Sequence, residues 1–123
     1  GPEMKEIELP KITDGRGNLT FFESERLVPF KIKGVFLINI YDTSDRYEFI
    51  DNKNVEFFLV ALSGSFAFEN DSADDFMDGL CLENANKGLY IEKNINFTLQ
   101  FFADNTVVLI LSSMEYINFV RKV

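Results

Sequence analysis

Hydrophobic positions recur along the chain in short runs, spaced about ten residues apart and broken by turn-forming residues. β-Branched and aromatic residues dominate the runs, which suits pleated, half-buried strands. The pattern predicts strands over Lys5–Leu9, Asn18–Glu23, Gly34–Tyr41, Val55–Leu62, Ser65–Glu69, Gly79–Glu83, Gly88–Ile91, Phe97–Phe102 and Thr106–Ser112. Between them lie Asp14-Gly15-Arg16-Gly17-Asn18, Asn70 to Asp75, Asn84 to Gly88 and Ala103-Asp104-Asn105, where Gly and Asn tolerate positive φ. Ser63-Gly64, set between two apolar runs, reads as a tight hairpin. Phe57–Leu62 and Val107–Leu111 are apolar at successive positions, which predicts central strands covered on both faces. Met114, Ile117 and Val120, spaced by three, allow a short C-terminal helix. The expected fold is therefore mainly β: a single small domain over residues 4–123, built as a jelly roll or small barrel. Periodicity leaves a lectin-like sandwich, a cupin and a lipocalin-like cup all open. Gly1-Pro2-Glu3, ahead of Met4, reads as a tag remnant.

Composition narrows the chemistry. With 46% hydrophobic residues and 14 Phe, the chain is neither a disordered tail nor a low-complexity linker. Its apolar runs are too short for a membrane-spanning helix. A net charge of −8 disfavours nucleic acid and anionic membrane as partners. The single cysteine, Cys81, excludes an intramolecular disulfide and a cysteine zinc cage; it reads as a small core residue. No apolar leader follows Met4, so the expected location is cytoplasmic. Most informative is the count of zero histidines. Ser-His-Asp triads, Cys-His dyads and imidazole metal sites are excluded, and proton transfer must fall to carboxylates, Tyr, Lys or Arg. No metal or other cofactor is expected.

Six phrases then align in one order. They are Glu8-Leu9-Pro10-Lys11-Ile12, Asp14-Gly15-Arg16-Gly17-Asn18-Leu19-Thr20-Phe21, Pro29-Phe30-Lys31-Ile32-Lys33, Ala61-Leu62-Ser63-Gly64-Ser65-Phe66, Gly88-Leu89-Tyr90-Ile91 and Val108-Leu109-Ile110-Leu111-Ser112-Ser113. Together they resemble the WxcM-like cupins, the dTDP-4-keto-6-deoxyglucose 3,4-ketoisomerase family, from about Ile7 to Ser113. The resemblance implies a jelly-roll cupin and a homodimer with exchanged N-terminal strands. It also implies a dTDP-linked 4-keto-6-deoxyhexose as ligand, in the making of bacterial surface glycans. Active members carry a Gly-x-His-Ala-His stretch and a further His just before the central strand. Those three positions fall here on Ile50, Asn52 and Glu56, of which only Glu56 ionises.

The resemblance also singles out individual residues. Arg16, in its Gly-flanked turn, would clamp a phosphate or sugar hydroxyl; the alternative is a solvated turn arginine. Glu56 shares a strand face with Phe58, Val60 and Leu62, and would act as a base if that face lined the cup; otherwise it stands in water at the strand entrance. Tyr90 would line the substrate pocket, or serve as a structural strand tyrosine, and Asn52 would hydrogen-bond the substrate. Tyr41 and Tyr47 flank the same stretch, but an ordinary phenol is a poor base at neutral pH. Asp71, Asp74, Asp75 and Asp78 lack the spacing of a calcium loop and read as a solvated hairpin tip. The function expected is a degenerate relative that lacks ketoisomerase activity and still binds a dTDP-sugar. One alternative is an active isomerase or epimerase using Glu56; another is a structural dimer with a filled pocket.

Overall fold

A computed structural model of the chain describes residues 4–8, 11–14, 17–20, 27–71, 80–83, 85 and 87–122. They form strands β1 (Met4–Glu8), β2 (Lys11–Asp14), β3 (Gly17–Thr20), β4 (Gly34–Asn39), β5 (Arg46–Phe49), β6 (Phe57–Ser63), β7 (Phe66–Asn70), β8 (Leu80–Leu82), β9 (Lys87–Ile91), β10 (Phe97–Gln100), β11 (Val107–Ser112) and β12 (Val120–Lys122), and there is no helix among the described residues. Two five-stranded antiparallel sheets carry the architecture, ordered β1-β9-β6-β11-β4 and β12-β5-β10-β7-β8; β2 and β3 pair separately. This is the mainly β, cupin-like fold expected.

Period-two alternation explains which side chains meet between the sheets. Phe57, Leu59 and Ala61 of β6, with Val108 and Ile110 of β11, face Phe49, Phe66, Phe68, Phe97 and Leu99 of the second sheet. The opposite face of the first sheet is also covered. Phe58, Val60, Leu109 and Leu111 pack there against Val28 and Phe30. Burial on both faces is why Phe57–Ala61 of β6 and Val108–Leu111 of β11 are apolar at every position. Gly88 permits one close contact on this outer face, because a Cβ there would overlap the ring of Phe58.

Four expectations change. Ser63-Gly64 is not a hairpin: β6 and β7 belong to different sheets, and Gly64, at φ 70°, carries the chain from one to the other. Buried Thr106 holds that corner through Oγ1, which lies 3.2 Å from the Ser65 amide nitrogen and 2.7 Å from the Ala103 carbonyl oxygen. The C-terminal helix is replaced by β12, which pairs with β5 and satisfies main-chain groups that an edge strand leaves bare. Met114 and Val120 are exposed, so the three-residue spacing builds no buried helical face. Cys81 is exposed on the edge strand β8 instead of lying in the core. Finally, the pattern predicts neither β2 nor β5; β2 is four residues long and ends on the Asp14 of a turn composition, and in β5 Tyr47 and Phe49 alternate inward between the half-buried Arg46 and Glu48, a pattern too short to stand out.

Candidate functional site

The three positions aligned with the family histidines lie in the connection from β5 to β6, at one end of the barrel. Ile50 follows β5 and is half-buried. Asn52 is buried, and its side-chain amide is committed. Its Nδ2 donates to the carbonyls of Ile50 (3.0 Å) and Asn118 (2.7 Å), while its Oδ1 accepts from the Asn118 amide (2.7 Å). Asp51, Asn54 and Asn94 adopt left-handed φ of 54°, 62° and 67°, which short polar side chains tolerate. The Asn54 amide donates to Asn94 Oδ1 at 3.0 Å, joining the β5–β6 connection to the β9–β10 connection. Asp51, Asn52, Lys53, Asn94 and Asn96 line a surface depression of about 330 Å³ at this joint. Amides, a carboxylate and an ammonium group give it both donors and acceptors for hydroxyl-rich ligands.

Inside the barrel the same end is filled with rings. Phe49 stacks on Phe97, Phe57 meets both edge-on, and Phe68 packs against Phe97. From the C-terminal segment, Phe119 adds its ring 5.8 Å from Phe49 and 5.9 Å from Tyr47.

Glu56 does not face this interior. It shares the outer face of the first sheet with Phe58, as alternation predicts, but that face is covered by Val28 and Phe30 and does not line the cup. Tyr90, across the strand pair, donates its hydroxyl to Glu56 Oε2 at 2.7 Å, and its ring lies 6.3 Å from Phe30. The Glu56 main chain is fixed by Ser113, through an amide-to-hydroxyl bond of 2.8 Å and a Ser113 amide-to-carbonyl bond of 3.0 Å. The two residues therefore form a partly buried carboxylate–phenol couple within proton-transfer distance.

The remaining candidates are dispersed. Tyr41 is exposed after β4, at the other end of the first sheet. Tyr47 is buried against Phe102 and Phe119; burial, then the nearby Asp45 carboxylate, push its phenol above the usual range. Buried Asp45 receives Arg121 in a bidentate pair, Nε to Oδ2 at 2.9 Å and Nη2 to Oδ1 at 3.0 Å. The hydrogen bonds to Asp45 raise the Arg121 pKa further. The Ser44 hydroxyl and amide hold the Asp42 carboxyl below its usual value. Arg16 lies outside the described residues, as do Asp74, Asp75 and Asp78. Among the described residues no group of three or more His, Cys, Asp or Glu could hold a metal ion, and no helix is long and apolar enough to cross a membrane. Asn118 and Phe119 went unnoticed in the sequence, because a lone amide and ring beyond the last predicted strand carry no local signal.

The family model described as FdtA, WxcM-like, C-terminal, matches residues 2–119. A TDP-4-oxo-6-deoxy-α-D-glucose 3,4-oxoisomerase of Aneurinibacillus thermoaerophilus is 30% identical over 114 residues, covering 93% of this chain and 81% of that protein. The crystal structure of QdtA, a sugar 3,4-ketoisomerase of Thermoanaerobacterium thermosaccharolyticum in complex with TDP, superimposes with a TM-score of 0.84. It is 26% identical, and the match covers 95% of this chain and 86% of QdtA. WlaRB, a TDP-quinovose 3,4-ketoisomerase of Campylobacter jejuni, gives a TM-score of 0.82 at 31% identity, over 92% and 86% of the two chains.

Proposed function

Since the chain belongs to the WxcM-like family of FdtA, we propose that it binds a dTDP-linked 4-keto-6-deoxyhexose of bacterial surface-glycan biosynthesis without ketoisomerising it. The observation that carries this reading is the chain's lack of any histidine, with Ile50 and Asn52 standing where the resemblance puts two of them. Moving a proton between adjacent sugar carbons at neutral pH asks for groups that titrate there, and neither side chain does. The ring-filled interior keeps a sugar out of the space between the sheets. The ligand instead rests in the polar depression formed by Asp51–Lys53, Asn94 and Asn96. Arg16 is assigned to the nucleotide phosphates by family resemblance. The protein works in the cytoplasm, where activated sugars are made.

The same reading includes a homodimer. Val35 and Leu37, on the unpaired edge of the first sheet as described, are 63% and 57% exposed and adjoin Leu109 and Leu111. Exposed apolar strips of this kind favour a partner surface. Sedimentation should give twice the chain mass, and Leu37→Lys should halve it; a monomeric wild type would remove the dimer from the proposal.

The test of binding is thermal stabilisation by dTDP and by dTDP-4-keto-6-deoxyglucose. A rise in Tm with no turnover of the sugar supports a binder. No rise with either ligand would instead mark a scaffold whose pocket has been filled. One observation favours a second reading, an isomerase or epimerase on the outer face: Tyr90 and Glu56 lie 2.7 Å apart. Turnover that disappears in both Glu56→Gln and Tyr90→Phe would establish that reading and overturn the first.

A further inference from the structure

The C-terminal segment from Met114 to Lys122 crosses the end of the barrel that carries Ile50 and Asn52. Several attachments hold it, among them half-buried Ile117 packed against the core and Asn118 Nδ2 donating to the Asp51 carbonyl at 3.3 Å. Asn52 brackets the main chain of Asn118 from both sides, donating to its carbonyl and accepting from its amide. Phe119 inserts its ring beside Phe49 and Tyr47. β12 then pairs with the edge of β5, and Arg121 grips Asp45. Between and around these points the segment is open to solvent: Met114, Glu115, Tyr116, Asn118, Phe119, Val120 and Arg121 are all exposed. A stretch with few buried contacts, tied at discrete points to a well-packed body, opens at lower free energy than that body.

We propose that residues 114–122 form a releasable strap over the barrel end, with Asn52 as its latch. Both amide hydrogens of Asn52 are spent while the strap is closed, one on Ile50 and one on Asn118. In that state Asn52 lines the polar depression but has no side-chain N–H left to donate to a ligand. Release frees one N–H and one acceptor of Asn52 and uncovers the Phe49–Tyr47 rings together. The strap thus couples a polar contact and an aromatic platform to one conformational step. Sugar–nucleotide ligands need both kinds of surface, a polar one for hydroxyls and a flat one for a ring. The strap covers the same barrel end as the proposed binding site, and its role in ligand access rests on that reading. Its opening is read without a ligand, so the absence of dTDP binding would not touch that.

Amide hydrogen exchange on the full chain tests the strap. In the wild type, Asn118 and Val120–Lys122 should exchange through an opening that leaves β6 and β11 protected. In Asn52→Ala these amides should exchange about tenfold faster or more, with β6 and β11 little changed. Phe119→Ala keeps the latch but removes the ring, and should loosen the same amides; it also serves if Asn52→Ala does not fold. Binding of the dye anilinonaphthalenesulfonate should rise in either variant as the rings are uncovered. Strap amides that exchange only together with β6 and β11, or that keep their wild-type rates in the folded variants, would overturn the proposal.

Discussion

Phe49 and Phe97 stack with ring centroids 4.5 Å apart and planes 9° from parallel, directly beside the stretch where the family resemblance places histidines. Both rings are fully buried, and Phe57 meets each of them edge-on. The interior of the barrel at this level is thus a closed aromatic layer, whose geometry adds to the burial of each ring. Phe97→Ala should remove about 3–5 kcal/mol of stability. Phe97→Leu, which keeps most of the volume, should cost far less. Urea unfolding of the two variants checks this. Near-equal losses would mean that the layer relaxes around a cavity and is not closely packed.

Gly88 makes a second packing prediction, on the outer face of the first sheet. A methyl group there would overlap the Phe58 ring, which is itself fully buried beneath Val28 and Phe30. Gly88→Ala should therefore destabilise by about 1–3 kcal/mol. Combining it with Phe58→Leu should cost less than the two single losses added, because both act on one contact. Strict additivity in a denaturation cycle would show that Gly88 is required for some other reason.

Most of the architecture was legible because burial on two faces imposes continuous apolar runs, as in Phe57–Ala61 and Val108–Leu111. What escaped depended on partners far away in sequence. Whether Ser63-Gly64 closes a hairpin or changes sheets is decided by Thr106, some forty residues on. β12 exists because β5 offers an edge, and β5 itself shows only two inward residues. At the site, alternation correctly put Glu56 and Phe58 on one face, but could not say that this face is turned away from the cup. The pairing of Glu56 with Tyr90 was equally hidden, since it depends on the register of β6 against β9. Cys81 looked like a core residue because Leu80 and Leu82 flank it, yet it lies outward on an edge strand.

Tyr47 gives the fold an alkaline limit. Burial is the main cause of its raised pKa, followed by the Asp45 charge. The folded protein therefore keeps this proton above the usual value near 10, where the unfolded chain has lost it. In that range the unfolded state binds fewer protons, so stability falls as pH rises. Below the unfolded pKa the contribution is fully present. Tm measured from pH 9 to pH 11 should drop in the wild type and drop less in Tyr47→Phe. Parallel curves would assign the alkaline loss to other groups.

The Asp45–Arg121 pair is asymmetric, and that asymmetry sets what its removal should cost. Asp45 is 3% exposed and Arg121 52%, so the carboxylate gave up its water and the guanidinium kept much of its own. Arg121→Ala leaves a buried carboxylate without the bidentate donor that offsets its desolvation, and should lower the unfolding midpoint. Asp45→Asn removes the charge that needs a partner. In that background Arg121→Ala should cost much less, and the cycle should return a favourable coupling. Because one partner is buried, the coupling should survive added salt better than that of an exposed pair such as Lys87 and Glu8, whose side chains are 45% and 71% exposed. A coupling near zero at low salt would mean that β12 is held by its main-chain pairing and by Phe119, with Arg121 adding nothing to the attachment.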